Sequence, residues 1–280
     1  MPLRDVAVRS SLRCPVCAGA FVADDDARAP LRCAAGHSFD VGKDGTVHLL
    51  PAGHGMTRRV GDDAAMIAAR TAFFSRGHYR ALSTAIADAV NAALPTQRRA
   101  LVGDIGCGDG SHTSVIVEAV ADRAHVVGVD LAKDAVKAAA RRERSATFIV
   151  GDATRLPFAD GAIDVAVVAF APRPTDELAR VAHHHGALVV AIPEPEHLRT
   201  LVVRFGGIGM AKDKATAVVQ ALAPAFALQA ETVVDEPLHL SAADAALALQ
   251  MTPHGRHTEA RDVAAIDTRL HARVLSFARV

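Results

Sequence analysis

Three of the four cysteines in the chain lie within its first 33 residues, and a histidine follows closely. Cys14 and Cys17 form a C-x2-C pair, and Cys33 and His37 form a C-x3-H pair after fifteen intervening residues. Each pair can close one turn of chain around a metal ion, and a hairpin between them would bring the pairs face to face. The spacing predicts a closed tetrahedral zinc site with a structural role. The alternatives are two unrelated thiol pairs or a redox C-x-x-C motif.

A second group of residues follows an apolar run near residue 100. The segment "LVGDIGCGDGSHT" places Asp104, Gly106, Gly108 and Gly110 in a D-x-G-x-G-x-G pattern. Glycines let the backbone turn sharply and approach a ligand over the carboxyl edge of a parallel sheet. The third glycine comes one residue earlier than in the dinucleotide fingerprint, and Ser111 takes its place. The pattern favours a nucleotide-like ligand, and the alternative is an ordinary strand-to-helix turn.

Two carboxylates farther along the chain support the ligand interpretation. Asp130 ends the next predicted strand, where a carboxylate can hold both hydroxyls of a ribose. Asp152 follows the third strand, in "VGDATRLPF", and is placed to meet the edge of an adenine. Cys107 lies inside the glycine loop with no neighbouring base, so we expect it to pack beneath the turn.

Strands and helices must hold these groups in place. From residue 100 onward, helical segments alternate with the apolar runs "ALVGDIG", "HVVGVDL", "ATFIVGDA", "IDVAVVAFA" and "GALVVAIP". Continuous runs of valine, isoleucine and alanine favour parallel strands covered on both faces. Helices are predicted at 64–76 and 78–94, interrupted at Gly77, and at 241–250. The predicted fold class is α/β, with a Rossmann-like, mostly parallel sheet after a small zinc-binding module.

Length, charge and hydropathy bound the remaining possibilities. With 280 residues the chain is expected to hold a zinc module at 1–50, a glycine-rich linker at 51–63 and a larger domain at 64–280. The 31 basic and 31 acidic residues cancel, so the net charge by itself indicates no nucleic-acid partner. No apolar run approaches the roughly 20 residues of a membrane span, and no signal-peptide pattern stands at the start. We therefore expect a cytoplasmic protein.

The motifs, taken in order, resemble one family. They are "CPVC", "CAAGHSFDVGKDGTVHLL", "ARTAFFSRGHY", "DIGCGDG", "RLPFAD", "FAPR", "EHL" and "LQMTP". The glycine loop with its two carboxylates is similar to that of class I S-adenosylmethionine-dependent methyltransferases. The whole series resembles the RlmA-type 23S rRNA guanine-N1 methyltransferases, including the branch associated with resistance to tylosin-like macrolides. The resemblance implies S-adenosylmethionine as methyl donor, structural zinc and 23S rRNA as partner.

The resemblance also implies particular site residues. It places the zinc ligands on the four residues of the paired motif. It adds Tyr79, Asp109 and His197 to the cofactor contacts, which no other feature of the sequence marks. The complete set expected for the cofactor is Tyr79, Asp104, Gly106, Gly108, Asp109, Gly110, Asp130, Asp152 and His197.

The loop "AFAPRP" occupies the place where related enzymes line the pocket for the target base. Phe170 could stack on the purine, Pro172 could fix the backbone, and Arg173 could meet O6 or a phosphate. The alternative is a loop that merely ends a strand. No side chain stands out as a general base, although Asp109 and Asp176 are possible. We expect in-line methyl transfer to N1 of a guanine flipped out of an rRNA hairpin. The alternatives are a small-molecule methyltransferase and a non-catalytic rRNA-binding protein.

Some features depart from the family or leave a choice open. The run "HHHGA" replaces the usual "KPGG", and we interpret it as a solvated turn. "FAPR" favours the macrolide-resistance branch, whereas "LQMTP" favours the other branch. The sequence therefore does not show which guanine of 23S rRNA is methylated. A homodimer is compatible with the sequence, since two zinc modules could form a cleft around one hairpin. Six arginines near the amino terminus could contact phosphates or simply form a solvated face: Arg9, Arg13, Arg28, Arg32, Arg58 and Arg59.

Overall fold

The structure is a computed structural model that describes residues 6–22, 26, 29–51, 63–205, 213–252 and 263–280. The amino-terminal part contains the helix α1 (Val6–Ser11) and a small antiparallel pair of strands, β1 (Leu31–Arg32) and β2 (Ser38–Phe39). A further short strand, β3 (Val47–His48), leads toward the rest of the chain.

An eight-stranded sheet forms the centre of the molecule. Its other strands are β4 (Ala100–Ile105), β5 (Ala124–Asp130), β6 (Thr147–Val150), β7 (Ile163–Ala169), β8 (Ala182–Pro193), β9 (Phe226–Leu240) and β10 (Ile266–Arg279). The strand order is β3-β6-β5-β4-β7-β8-β10-β9. The first six run parallel, whereas β10 runs antiparallel to both β8 and β9. Because β4 lies between β5 and β7, the chain reverses its winding direction there, and ligands bind at such a switch point.

Helices cover both faces of this sheet. They are α2 (Ala64–Ser75), α3 (Arg80–Ala93), α4 (Ser111–Val120), α5 (Lys133–Arg142), α6 (Thr175–Val181), α7 (Arg199–Arg204), α8 (Lys214–Leu222) and α9 (Ala242–Gln250). Side chains of α2, α3, α4, α5, α7 and α9 share one apolar core. Those of α1, α6 and α8 share a second core on the opposite face. Within the described ranges, no helix combines the length and apolar character needed to cross a bilayer.

The predicted strands and helices are present, with one correction. The histidine run His183–His185 lies inside β8, so its prediction as a turn was wrong. Ala182 already pairs with Ile163, and the register shifts before Ala187 pairs with Val165. Backbone pairing does not require apolar side chains, and the rings of His184 and His185 are exposed.

The zinc segment is joined to the central sheet. Val47 and His48 of β3 pair with Ile149 and Val150 of β6, and Leu12 forms an isolated bridge to Phe158. The last strand of the predicted zinc module, β3, is therefore also an edge strand of the large sheet, next to β6. Residues 52–62 of the predicted linker lie outside the described residues.

The end of that predicted linker is described, and it begins a helix. Asp63 caps α2 by accepting a hydrogen bond from the backbone N–H of Met66 at 2.9 Å.

Candidate active site and metal centre

The four predicted zinc ligands lie together. One ligand atom from each of Cys14, Cys17, Cys33 and His37 falls within 4.8 Å of all the others. The Sγ atoms of Cys17 and Cys33 are 3.6 Å apart, and Nδ1 of His37 is 3.6 Å from Sγ of Cys14 and 3.4 Å from Sγ of Cys33. Zinc bonded to sulfur at about 2.3 Å in a tetrahedron would separate neighbouring ligand atoms by about 3.7 Å. The donor set and its spacing fit a tetrahedral zinc ion.

Two tight turns hold these ligands. The backbone N–H of Ala18 donates to the carbonyl of Cys14 at 2.8 Å, and that of Gly36 donates to the carbonyl of Cys33 at 2.9 Å. Gly36 has a φ of +84°, a conformation that glycine adopts without strain. Both ligand pairs are therefore arranged by local backbone geometry.

The glycine loop runs from the end of β4 into α4. Gly106, Gly108 and Gly110 all have positive φ, at +79°, +55° and +75°. The N–H of Gly106 donates to the carbonyl of Val129 at 2.8 Å, which ties the loop to β5. A Cβ on Gly106 would lie 2.5 Å from the Cβ of Ala171, so only glycine fits at this close approach.

Asp104 and Cys107 lie beneath the loop, not at its surface. Asp104 is 2% exposed and accepts a hydrogen bond from Oγ1 of Thr113 at 2.6 Å. Burial raises the pKa of Asp104 to about 6. Burial also raises the pKa of the Cys107 thiol, and its Sγ packs against Gly128. Both side chains stabilise the turn, as the sequence suggested for Cys107.

Asp130 and Asp152 stand at neighbouring strand ends. Asp130 accepts the N–H of Gly108 on Oδ2 at 2.9 Å and that of Ala132 on Oδ1 at 2.8 Å. Asp152 accepts both the N–H and the hydroxyl of Thr154 on Oδ1, each at 2.8 Å. A carboxylate oxygen can accept more than one hydrogen bond, so each group can fix its own loop and also contact a ligand.

Asp109 joins three helices around the loop. Its Oδ2 accepts from the hydroxyl of Thr71 at 2.6 Å, the hydroxyl of Ser111 at 2.9 Å and Nη2 of Arg142 at 2.9 Å. The side chain is 2% exposed. Three donors, one of them a guanidinium, hold this carboxylate between α2, α4 and α5, so its side chain positions the loop.

Two of these partners were not identified from the sequence. Thr71 stands inside the quoted motif "ARTAFFSRGHY", which is the signal that could have found it. Arg142 ends α5 in a run of basic residues, and no pattern distinguishes it from its neighbours.

Tyr79 and His197 form a buried pair although 118 residues separate them. The hydroxyl of Tyr79 is 2.8 Å from Nε2 of His197, and Nδ1 of His197 accepts the backbone N–H of His271 at 3.3 Å. Burial lowers the pKa of His197 to about 4, so the ring is neutral at pH 7. Because Nδ1 is an acceptor, the proton is on Nε2 and is donated to the Tyr79 oxygen.

The orientation of this pair leaves Tyr79 as a donor. Burial raises the pKa of Tyr79, so the phenol stays protonated. Its own O–H hydrogen is not used by His197 and can be donated to a ligand acceptor in the site.

The loop after β7 forms the other wall. Phe170 has a φ of +53°, which is strained for a residue with a side chain, and its N–H donates to the carbonyl of Ala191 at 3.0 Å. Its ring is 39% exposed, with its centroid 5.5 Å from that of His197 and 6.5 Å from that of Tyr79. Backbone strain of this kind concentrates at functional sites. Phe170 therefore presents an open aromatic face beside the buried pair.

The two other predicted residues of this loop differ in exposure. Pro172 is exposed, and Arg173 is partly buried with its Nη1 donating to the carbonyl of Ala171 at 2.9 Å. Asp176, the second possible base, is exposed in the first turn of α6.

The amino-terminal arginines do not form one surface. Arg9 is 8% exposed and donates to the carbonyl of Asp26 at 2.9 Å, so its prediction as a phosphate contact was wrong. Arg13 donates to the carbonyls of Ser10 and Leu12, whereas Arg32 is exposed. The remaining members of that set, Arg28, Arg58 and Arg59, lie outside the described residues.

The sheet order, the glycine loop and the ribbon together define a class I S-adenosylmethionine-dependent methyltransferase that carries a zinc ribbon. The family model described as "Methyltransferase domain" matches residues 102–188, and the zinc-ribbon model described as "RlmA, N-terminal" matches residues 12–58. A chain in the solved complex of the Haloferax volcanii Trm112 methyltransferase activator and a methyltransferase shares the fold, with a TM-score of 0.51 at 16% identity. That match covers 78% of this chain and 98% of the other.

Relatives in amino-acid sequence are more specific. A Micromonospora griseorubida protein named as a 23S rRNA (guanine-N1)-methyltransferase is 38% identical over 89% of this chain and 88% of its own length. The 23S rRNA (guanine(748)-N1)-methyltransferase of Streptomyces fradiae is 36% identical over 77% of this chain and 75% of its own length. The chain belongs to the family of 23S rRNA (guanine-N1)-methyltransferases.

Proposed function

We propose that the chain transfers the methyl group of S-adenosylmethionine to N1 of a guanine in a 23S rRNA hairpin, so that S-adenosylhomocysteine leaves and the N1 proton passes to solvent. The observation that carries this proposal is that a zinc ribbon and a glycine-loop pocket share one sheet. The relatives that match nearly the whole chain are named for the same reaction. Ribosomal RNA as substrate implies a cytoplasmic place of action.

The proposed cofactor site combines backbone and side-chain groups. When bound, S-adenosylmethionine supplies an electrophilic methyl group on its sulfonium. Asp130 is proposed to hold the ribose, Asp152 the adenine edge and Tyr79 the amino-acid end through its free O–H hydrogen. His197 orients Tyr79, and Asp109 and Asp104 position the loop. The backbone of Gly106, Gly108 and Gly110 provides the close approach.

The proposed target pocket lies between the loop after β7 and the buried pair. A purine flipped out of its hairpin can stack on the open face of Phe170, while Pro172 restricts the loop backbone. Stacking and a fixed loop hold the ring nitrogen in line with the methyl group. Positioning of two reactants in this way supplies a large share of the rate enhancement.

Label transfer tests the proposed reaction. Purified protein with isotopically labelled S-adenosylmethionine is offered naked 23S rRNA, assembled large subunits and a metabolite extract. We expect label in rRNA, and mass-spectrometric mapping should place the methyl group on guanine N1. Label confined to the extract would show a small-molecule methyltransferase, and bound but unlabelled RNA would show a non-catalytic binder.

Mapping also identifies the guanine. The Streptomyces fradiae relative is named for position 748, so the hairpin that contains this position is the first region to map. Modification there is expected to raise the minimum inhibitory concentration of a tylosin-type macrolide in a sensitive host. Modification of a neighbouring guanine with no change in that concentration would place the chain in the other branch.

We further propose the domain limits 1–50, 51–63 and 64–280. Limited proteolysis should cut first within 51–63. Because β3 pairs with β6, the two fragments should stay together in native size-exclusion chromatography and separate in denaturant. Early cleavage elsewhere would contradict these limits.

A homodimer is proposed from an open groove of about 1110 Å³ beside α3. Its walls are the alanine-rich face of α3 and parts of β8, β10 and β9, the last strand of the sheet. Long edge strands tend to pair with another chain unless they are protected. The variant Thr232→Arg in this groove should shift sedimentation toward a monomer, whereas Thr200→Arg on α7 should not. A wild-type protein that sediments as a monomer at micromolar concentration would overturn the proposal.

A further inference from the structure

Helix α9 packs against α2 and contacts the turn that carries Tyr79 into the proposed site. Residues 76–79 form this turn, which joins α2 to α3. Gly77 has a φ of +82°, which lets the chain change direction there. Tyr79 is the N-cap of α3, but within the described residues its side chain caps no backbone N–H and contacts His197 instead. The position of the phenol therefore depends on what holds the turn.

Asp244, in the first turn of α9, holds the 76–79 turn through two side chains. Its Oδ1 forms an ion pair with Nη1 of Arg76. Nε2 of His78 lies 3.4 Å from the same oxygen, without the alignment of a hydrogen bond. Oδ2 of Asp244 accepts from the hydroxyl of Ser241, the N-cap of α9, at 2.7 Å. The carboxylate is 14% exposed, and these contacts fix it between the helix and the turn.

An aromatic cluster connects the turn to the phenol. The ring of His78 packs on that of Phe73, with the centroids 4.6 Å apart. The rings of Phe73 and Phe74 pack edge-on against that of Tyr79, with centroid distances of 5.2 and 5.0 Å. Phe73 and Tyr79 are both buried. Because buried side chains are closely packed, a shift of the turn would also move the phenol.

The opposite end of α9 reaches a residue beside the glycine loop. Met251, the C-cap of α9, accepts a hydrogen bond on its carbonyl from Nη2 of Arg70 in α2 at 3.3 Å. Nη1 of the same guanidinium lies 3.4 Å from the position that a Cβ on Gly108 would occupy. One end of α9 thus contacts the turn that carries Tyr79, and the other end contacts an arginine next to the loop.

We propose that α9 positions the cofactor-binding groups and that Asp244 is the residue that holds Tyr79 in place. This inference rests on the proposed function, in which the O–H of Tyr79 binds the amino-acid end of S-adenosylmethionine. Asp244 itself touches no ligand and is a positioning residue, because it acts through Arg76 and His78. A carboxylate suits this role because its two oxygens can contact several donors at once.

The composition of the chain makes Tyr79 directly observable. It is the single tyrosine of the sequence, which contains no tryptophan, so tyrosine fluorescence reports on this residue alone. Acrylamide quenching of that fluorescence measures the access of solvent to the phenol in the free protein. The test compares the wild type with Asp244→Asn, which keeps the shape of the side chain and removes its charge.

The ion pair should matter for both the phenol and the cofactor. In Asp244→Asn, quenching of Tyr79 should increase and the Kd of S-adenosylhomocysteine should rise about fivefold. Arg76→Gln should give similar changes, and the double variant should add little, because both residues contribute to one contact. The KM for S-adenosylmethionine should rise, whereas kcat at saturating cofactor should stay close to the wild-type value.

Two control variants separate positioning from general loss of stability. Asp160→Asn removes the charge of a carboxylate that pairs with Arg180 at 2.7 Å, in the connection between β6 and β7. Val181→Ala truncates a fully buried side chain of α6 in the second core and should lower the Tm. Neither control should change the quenching of Tyr79 or the Kd of S-adenosylhomocysteine.

Three outcomes would overturn the inference. Unchanged quenching in Asp244→Asn would show that the turn is held without this carboxylate. Increased quenching with an unchanged Kd would show that the phenol moves without affecting the cofactor. Equal changes in Val181→Ala would show that lower stability is their cause. If the wild type methylates no RNA, the proposed function fails, but quenching in the free protein still decides whether Asp244 positions Tyr79.

Discussion

The carboxylate of Asp130, at the end of β5, accepts the backbone N–H of Gly108 in the glycine loop and the backbone N–H of Ala132. The same carboxylate is proposed to hold the ribose, so one side chain would both shape the pocket and bind the ligand. In the Tyr79–His197 pair, the neutral imidazole donates to the phenol oxygen and thereby orients the phenol. At the residue scale, function depends on which polar atoms are already used within the protein.

The variant Asp130→Ala removes the acceptor for Gly108 and for the proposed ribose. Hydrogen bonds to a charged group contribute about 1.5–3 kcal/mol each, so the Kd of S-adenosylhomocysteine should rise at least about tenfold. Isothermal titration calorimetry measures this change. Asp134→Ala, on the exposed side of α5, is the matched control and should bind normally. Equal affinities of the two variants would contradict the assignment.

His197 predicts a specific dependence of stability on pH. Its pKa is lowered to about 4 in the folded protein and is about 6.5 when unfolded, so acid favours the unfolded state. The stability contributed by the neutral ring is complete above about pH 6.5 and is lost as the pH falls toward 4. Urea unfolding of wild type and His197→Asn should therefore differ less at pH 5 than at pH 7. A constant difference would show that His197 does not titrate in this window.

Among the connections between elements, the glycine loop leaves no room for a Cβ at Gly106 or Gly110. Its three glycines have positive φ, and neighbouring segments from the loop after β7 and from α5 pack directly on it. The element on each side is ordinary, a buried strand and a ten-residue helix. Close packing around the turn makes the loop a rigid surface for a ligand.

Gly106→Ala tests this close packing against a matched glycine. Gly45 has a similar φ, +83° against +79°, but a Cβ there would meet nothing within 4 Å. Gly45→Ala should lose only the conformational term of about 1 kcal/mol, whereas Gly106→Ala should lose more and bind cofactor poorly. Chemical denaturation and calorimetry measure both effects. Equal losses of stability would show that the Ala171 contact is readily relieved.

At the scale of the whole molecule, the zinc ribbon and the methyltransferase sheet are one structure. The ribbon contributes β3 to the large sheet and bridges to it again at Leu12 and Phe158. A change in the metal site should therefore reach the edge of the sheet beside β6. Backbone pairing therefore fixes the ribbon relative to the sheet that carries the proposed cofactor site.

Zinc removal should consequently destabilise more than the ribbon. Cys14→Ser should lower the zinc content below one ion per chain and lower the Tm by several degrees, since structural zinc contributes directly to folding. Cys107→Ala, which changes a buried thiol outside the cluster, should keep its zinc. Atomic absorption and calorimetry report the two quantities. A zinc-free variant with the wild-type Tm would contradict the coupling.

Local sequence patterns were sufficient to predict the features that depend on neighbours in the chain. The spacing of two ligand pairs, the apolar runs of the strands and the pattern of the glycine loop are local. Each restricts backbone geometry over a few residues, and the structure has the corresponding turns, strands and loop. The class of fold and the zinc cluster were therefore predictable. The family resemblance added the prediction that Tyr79 and His197 contact the cofactor.

Contacts between side chains that are far apart in sequence depend on the tertiary structure. Tertiary packing buries Arg9, places the histidine run inside β8, and brings Thr71 and Arg142 to Asp109. These outcomes depend on how helices and strands pack, because a side chain's partners and exposure come from residues far away in sequence. The spacing of residues along the chain does not show which of them become neighbours in the fold. Charge, burial and protonation at the site therefore depend on packing.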